Sequence, residues 1–372
     1  MILVVGTRPE AIKVAPVVLE LRRFPDLVTT LLVSTGQHRE MLASALGAFG
    51  LKPDRDLAIM QHGQTLAQVT ARALEGLDQA IAEHSPQAIL AQGDTTTTFA
   101  AALAAFYRQI PFGHVEAGLR TDTIHNPFPE EFNRRAAGLV AEWHFAPTAW
   151  AADNLIREGK PADTVTVTGN TGIDAVRFME AQSTADWYGD WPGRVVLLTT
   201  HRRENWGEPQ RRIARAARRI VEAFPDVRLV VAQHANPSVR ATLGEVLSGH
   251  DRIDLIEPPD YEAFVKLMKR ASLILSDSGG VQEEAPAFGI PVLVLRETTE
   301  RPEGVTAGTA KLVGTDEEHI VAEGTELLAN ETAYHAMANA VSPYGDGRAS
   351  ARIRYLLLKS LGIDSPHESP WN

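Results

Sequence analysis

Met1-Ile2-Leu3-Val4-Val5-Gly6-Thr7-Arg8-Pro9-Glu10-Ala11-Ile12-Lys13 is the stretch whose reading decides the fold. Its short apolar, β-branched run 2–5 reads as a strand, Gly6 and Thr7 as a turn, and the residues after them as a helix. Pro9 suits the first turn of that helix, where a missing N–H costs nothing and the fixed φ is already helical. Strand, turn and helix in that order make the building block of a parallel sheet.

Outward from this block the pattern repeats. In the first half, apolar runs at 29–33, 88–91, 112–115, 144–146 and 165–167 alternate with helical stretches such as 11–22, 66–83 and 97–108. A second series, at 195–198, 228–232, 253–256, 273–275 and 291–295, begins after a stretch rich in Trp, Gly and Pro near 187–193. The expected fold class is α/β, with two Rossmann-like domains, each a doubly wound parallel sheet. The boundary is placed between Gly169 and Gly193, with 174–181 a connecting helix. This divides the chain into an N-terminal domain over 1–170, a C-terminal domain over 171–350, and a last helix and tail over 351–372 that is free to pack back on the N-terminal domain. The tail at 367–372 is expected to be loose.

Composition supports this reading and excludes others. At 372 residues the chain exceeds the size at which one core usually keeps growing. An apolar fraction of 44% and a charged fraction of 22% are ordinary for a soluble globular enzyme. Zero cysteines exclude a disulfide framework and thiolate chemistry, and fit a reducing, cytoplasmic compartment. The opening run is too short for a signal peptide and lacks a basic leader, and no later run approaches the ~20 apolar residues of a membrane span. A net charge of −11 argues against general nucleic-acid binding, which needs a basic surface. It leaves room for a small anionic ligand met by local cations such as Arg8, Lys13, Arg120, Arg134, Arg202 and Arg203.

Ligands of open parallel sheets bind beyond the carboxyl ends of the strands, so the residues after each run are the ones to read. Arg8 and Lys13 follow the first run, Gln37-His38-Arg39-Glu40 the second, and Gln92-Gly93-Asp94-Thr95-Thr96-Thr97-Thr98 the third. The fourth delivers His114-Val115-Glu116-Ala117-Gly118-Leu119-Arg120, and the loop beyond it holds Pro129-Glu130-Glu131. Asp94, Glu116 and the Glu130/Glu131 pair thus converge on one sheet edge, where clustered carboxylates suit proton transfer. Each has a plainer reading: Asp94 as a helix N-cap, Glu116 as the partner of Arg120, Glu130 or Glu131 as first-turn helix acids. His114-x-Glu116 could begin a metal site, since alternate strand residues face one way, but no further ligand set has metal-like spacing.

In the second half the first run ends Thr199-Thr200-His201-Arg202-Arg203-Glu204-Asn205, and the fourth ends Ser276-Asp277-Ser278-Gly279-Gly280-Val281-Gln282-Glu283-Glu284. Ser278-Gly279-Gly280 at a helix opening offers bare N–H groups to a diphosphate, and Glu284, one turn on, can accept from ribose hydroxyls. A Gly-x-Gly-x-x-Gly fingerprint and a Walker-type Gly-Lys-Thr are both missing, which disfavours dinucleotide oxidoreductases and P-loop enzymes.

Together with Thr298-Thr299-Glu300-Arg301-Pro302-Glu303, these motifs, in order from Ile2 to about Leu358, resemble those of bacterial non-hydrolysing UDP-N-acetylglucosamine 2-epimerases. The resemblance implies a glycosyltransferase-B type fold with its two domains facing across a cleft, a homodimer, no cofactor and no metal. It implies interconversion of UDP-GlcNAc and UDP-ManNAc through elimination of UDP to 2-acetamidoglucal and re-addition, supplying ManNAc units for cell-surface polysaccharide. By motif, Asp94, Glu116 and Glu130 match the acid/base carboxylates, and His201 matches a residue beside the departing diphosphate. Arg8, Lys13, Ser278, Gly279, Gly280 and Glu284 match nucleotide contacts, with Phe264 and the backbone of Pro259 near the uracil.

Some members bind a second UDP-GlcNAc as an allosteric activator, through residues matching Gln37, Glu40, Gly63, Glu130, Arg202 and His234. Here Glu40 replaces a glutamine and Gly63 an arginine, so a charged anchor for that ligand is missing. Pro259 has no N–H to give uracil, although its carbonyl can accept. The competing functions are a UDP-sugar glycosyltransferase of the same fold, a hydrolysing 2-epimerase, and a non-catalytic nucleotide-sugar sensor, which would need no acid/base set.

Overall fold

The computed structural model describes the chain except for Gln37, His38, Asp122, Ser183, Ala185, Asn372 and the side chain of Arg39. The described residues form two compact units, Met1–Phe178 with Tyr344–Asn372, and Met179–Pro343.

The first unit runs β1 (Ile2–Val5), α1 (Arg8–Arg22), β2 (Leu31–Ser34), α2 (Arg39–Ala48), β3 (Arg55–Asp56), α3 (Leu66–His84) and β4 (Ile89–Gln92). It continues α4 (Thr96–Tyr107), β5 (Phe112–Val115), α5 (Glu130–Val140), β6 (Ala141–Ala146), α6 (Ala149–Arg157), β7 (Val165–Val167) and α7 (Thr171–Gln182). All seven strands are parallel, in the order β3-β2-β1-β4-β5-β6-β7. The strand β1 is buried along its whole length, as a central parallel strand covered on both faces must be. Thr7 and Glu10 close a capping box at the start of α1, so the helix opens at Arg8, three residues earlier than apolar spacing alone suggests.

The second unit runs β8 (Arg194–Thr199), α8 (Glu208–Ala223), β9 (Val227–Ala232), α9 (Pro237–Leu247), β10 (Ile253–Ile256), α10 (Tyr261–Arg270), β11 (Leu273–Ser276) and α11 (Gly279–Glu284). Then come β12 (Val292–Val294), α12 (Pro302–Thr306), β13 (Ala310–Leu312), α13 (Glu317–Ala329) and α14 (Glu331–Ala338). Its six strands are also parallel, ordered β10-β9-β8-β11-β12-β13. One side of this sheet packs Val196, Leu198, Leu229, Val231, Leu273 and Leu275 with Ile213, Ala217 and Ile220 of α8. The two Rossmann-like sheets expected from the sequence are both present. Each reverses its strand order at one place, between β1 and β4 in the first unit and between β8 and β11 in the second, and that is where such sheets bind ligands.

The chain leaves the first unit inside α7, after Phe178, and re-enters it at Tyr344, against the expected changes at 170/171 and 350/351. The return is fastened early because Tyr344 is buried and its carbonyl accepts the N–H of Asn170 at 2.8 Å. Asp174 of α7 then accepts the N–H groups of Ser350 (2.8 Å) and Ala349 (3.2 Å) at the start of α15 (Ala349–Ser360). The tail expected to be loose is instead tied down. Buried Arg354 reaches the Pro366 carbonyl at 2.7 Å, Arg352 reaches that of Ser369 at 2.7 Å, and Arg348 pairs with Glu368 at 2.7 Å. Among the described residues no helix is long and apolar enough to cross a membrane.

Candidate functional site

In the first unit the loops after β1 and β4 are joined by Glu10, which is almost wholly buried. One carboxylate oxygen accepts from the amides of Gly6 (2.9 Å) and Thr7 (2.7 Å) and from the Thr7 hydroxyl (2.9 Å). The other accepts from the hydroxyls of Thr95 (2.6 Å) and Thr98 (3.2 Å). Burial raises this carboxyl above its ordinary range, against the pull of those donors. Gly6 must be glycine here, because a Cβ would sit 2.1 Å from Thr97 Oγ1 and 2.5 Å from Thr35 Oγ1.

The cap of α4 is Thr95, whose hydroxyl accepts from the amides of Thr97 (3.1 Å) and Thr98 (3.3 Å), so Asp94 is not the N-cap. Its carboxylate is instead paired with Arg134 of α5, and its carbonyl accepts from Asn133 Nδ2 at 3.0 Å. Glu116, just past β5, is likewise not the partner of Arg120, which grips Glu158 at 2.7 and 2.8 Å. The side chains on Glu116 are Lys13 of α1 and Gln92 at the end of β4. Its backbone is left-handed (φ 62°), a costly conformation for a residue with a Cβ, and one that aims the carboxylate over Gly93.

Buried His114 lies two residues earlier, with Nε2 2.7 Å from the Gly93 carbonyl. An acceptor there requires the proton on Nε2, and burial lowers the ring's pKa from the usual 6.5 to about 4. His114 therefore props the Gly93-Asp94 turn, and among the described residues no three His, Asp or Glu side chains gather as a metal site. Glu130, half-buried, opens α5. Its neighbour Glu131 is buried and structural, accepting from Arg135 (2.6 Å), Arg134 (3.1 Å) and the Thr121 amide (3.2 Å). Half-buried Arg8 is the first residue of α1, five residues before Lys13.

In the second unit the loops after β8 and β11 are joined in the same manner by Asp277, which is fully buried. It accepts from the amides of His201 and Arg202, from Thr200 Oγ1 (all 3.0 Å), from Asn205 Nδ2 (2.9 Å) and from His201 Nδ1 (2.9 Å). Burial opposes ionisation of Asp277, but these donors outweigh it and hold its carboxyl below the ordinary range. The ring of His201 is partly exposed, and that of His234 stacks on it with centroids 6.3 Å apart.

Ser278 precedes α11, and the half-buried Gly279 and Gly280 are its first two residues, where helix amides lack intrahelical acceptors. The Glu284 carboxylate lies beside Gly280, 3.9 Å from where a Cβ would stand. Glu300 receives Arg202 (2.8 Å) and Arg296 (2.5 Å). Its burial favours the neutral acid, yet Arg296, Arg301 and Arg202 hold it down at about 2. Thr299 Oγ1 bonds Gln282 at 2.7 Å and Arg301 pairs with Glu283, so the 298–303 motif buttresses α11. Pro259 follows β10 and Phe264 lies in the first turn of α10, both half-buried.

Of the second-ligand set, Gln37 lies outside the described residues, Glu40 is exposed on α2, and Gly63 (φ 74°) faces open space. Arg202 is engaged by Glu300, and His234 by His201 and the Asn236 amide (3.2 Å). Sequence reasoning gave no role to Glu10, Gln92 or Asp277, although each is a polar residue of a motif that closes an apolar run.

Comparison with known proteins bears on both units at once. The profile of the family described as UDP-N-acetylglucosamine 2-epimerase matches residues 20–358. The UDP-N-acetylglucosamine 2-epimerase of Bacillus subtilis is 52% identical over 96% of this chain and 95% of its own. A structure of the UDP-GlcNAc 2-epimerase of Neisseria meningitidis bound to UDP-GlcNAc superposes with a TM-score of 0.87, at 46% identity, covering 96% of this chain and 99% of the other. The S. aureus MnaA-UDP co-structure gives 0.88 at 46% identity, covering 100% and 99%. With near-complete coverage at such identity, the chain belongs to the UDP-N-acetylglucosamine 2-epimerase family.

Proposed function

We propose that this chain interconverts UDP-GlcNAc and UDP-ManNAc by the non-hydrolysing route, and that Asp94, Glu116 and Glu130 carry the proton chemistry. The observation that carries the reading is the pair of carboxylates at neighbouring strand ends, Glu116 over Gly93 and Asp94 next in sequence, each held by a cation from a different helix. The proton on sugar C2 is not acidic, so a carboxylate removes it only as the C1–O bond to UDP breaks. That elimination leaves 2-acetamidoglucal and UDP. Return of UDP with protonation at the opposite face inverts C2, and two faces require more than one carboxylate.

In this reading the second unit holds the leaving group. His201 lies beside the diphosphate, Ser278, Gly279 and Gly280 give it N–H groups, and Glu284 takes the ribose hydroxyls. Phe264 and the Pro259 carbonyl meet the uracil, and Arg8 and Lys13 are further nucleotide contacts by motif. A homodimer in the cytoplasm, feeding cell-surface polysaccharide, completes the proposal. A second UDP-GlcNAc acting as activator would draw on Glu40, Arg202 and His234, without the charge that Gly63 lacks.

NMR of the enzyme with UDP-GlcNAc alone in D2O tests the function. Two nucleotide sugars with deuterium at C2 are expected. Free ManNAc would indicate hydrolysis, and turnover only with an added acceptor would indicate a transferase. Asp94→Asn and Glu116→Gln should abolish C2 exchange while UDP still binds, and undiminished exchange in both would remove these residues from the chemistry.

A further inference from the structure

Asp277 has no part in the functions assigned so far, yet it holds His201 more completely than loop closure requires. The His201 amide and ring Nδ1 both point at its carboxylate, at 3.0 and 2.9 Å, and the His201 carbonyl accepts from Trp206 Nε1 at 3.3 Å. His234 lies against the face of the ring, its own Nδ1 accepting the Asn236 amide at 3.2 Å. The ring is therefore fixed at its backbone, at one nitrogen and on one face.

We propose that Asp277 is a positioning residue that keeps the proton of neutral His201 on Nδ1 and so leaves Nε2 as the ring nitrogen presented to the diphosphate. A carboxylate is an acceptor only, so the nitrogen 2.9 Å from it must carry hydrogen. With the Thr200 hydroxyl, Asn205 and two backbone amides also donating to it, Asp277 has no proton of its own to offer the ring. These donors keep it charged against the opposing effect of burial, as its lowered pKa also indicates. An Asp oriented in this way fixes the tautomer of a working histidine without touching substrate, and Asp→Asn at such a place in serine-protease triads lowers kcat by about 10⁴ through the wrong tautomer. The proposal rests on the reading of His201 as a diphosphate contact.

Two measurements decide it. In wild-type enzyme labelled with ¹⁵N-histidine, and with the His201 signal identified by its loss in His201→Ala, the neutral ring is expected to show a protonated Nδ1 and a bare Nε2. The opposite tautomer overturns the proposal. Kinetically, Asp277→Asn should lower kcat by roughly 100-fold or more with KM within about 3-fold, and in a His201→Ala background should add less than about 3-fold. Effects that multiply would make Asp277 only a clamp on the loops and overturn the proposal. The wild-type tautomer decides the matter even where Asp277→Asn fails to fold. Wild-type turnover in the same preparation keeps the outcomes apart, because absence of UDP-ManNAc would sink the epimerase reading and leave the tautomer result intact.

Discussion

His114 makes a pH-dependent contribution to stability whose sign and size are set by its surroundings. In the folded protein burial lowers its pKa to about 4, against the usual 6.5 that the unfolded chain recovers. Between those values the unfolded chain takes up a proton that the folded one refuses, so stability is lost as pH falls through 6.5 toward 4. At about pH 7.5 the loss is close to zero, and at about pH 5 it reaches about 2 kcal/mol. His114→Gln keeps an N–H donor for the Gly93 carbonyl and removes the titration. Other groups titrate in both proteins and cancel, so the comparison isolates the one ring. Urea unfolding at the two pH values should show the variant gaining about 2 kcal/mol on wild type on acidification. A difference that does not change with pH would refute the assignment of His114 as a buried neutral prop.

The remaining predictions concern other fastenings of the first unit. Asp174 is pushed up to about 6 by burial, so ionising it in the folded state costs stability as pH rises from the usual 3.8 through 6. Asp174→Asn should accordingly gain about 2 kcal/mol on wild type between about pH 4 and pH 7.5, and a constant difference in urea melts would refute this. Gly6→Ala would drive a methyl into the hydroxyls of Thr97 and Thr35, which bond each other at 3.0 Å. A loss of about 1–3 kcal/mol is expected in the same assay, and a change under about 0.5 kcal/mol would show that the loop yields.

What the sequence makes legible depends on how local each determinant is. Fully buried parallel strands announce themselves as unbroken apolar runs, which is why 2–5 and 112–115 coincide with β1 and β5. The edge strands β3, only Arg55–Asp56, and β13, Ala310–Leu312, have no such run, because an edge strand need bury less. Positions of the carboxylates beyond the strands are equally legible, since the run alone sets them. Their partners are not. Glu116 meets Lys13 from 103 residues away because β4 pairs with both β1 and β5 and so sets the segments after those two strands close together, whereas proximity in sequence pointed to Arg120. The tail shows the same limit: Arg352 and Arg354 look like solvated charges until α15 carries them inward to the carbonyls of the last residues.

Glu10 and Asp277 each join the two loops at which the strand order of their own sheet reverses, Glu10 from the helix after β1 and Asp277 from the end of β11, and their differences come from their donors. Glu10 receives two amides and three hydroxyls, all neutral, and burial prevails over them. Asp277 is buried as deeply, but one of its donors is an ionisable ring, and the balance tips the other way. A carboxylate that stays charged fixes more than the position of its neighbour, because it also decides which nitrogen of the ring carries the proton. The same architectural device therefore serves as a passive fastening in one unit and as a constraint on the His201 ring in the other, and the distinction lies in the donors, where the Asn205 amide and the His201 ring stand in place of two of the three hydroxyls.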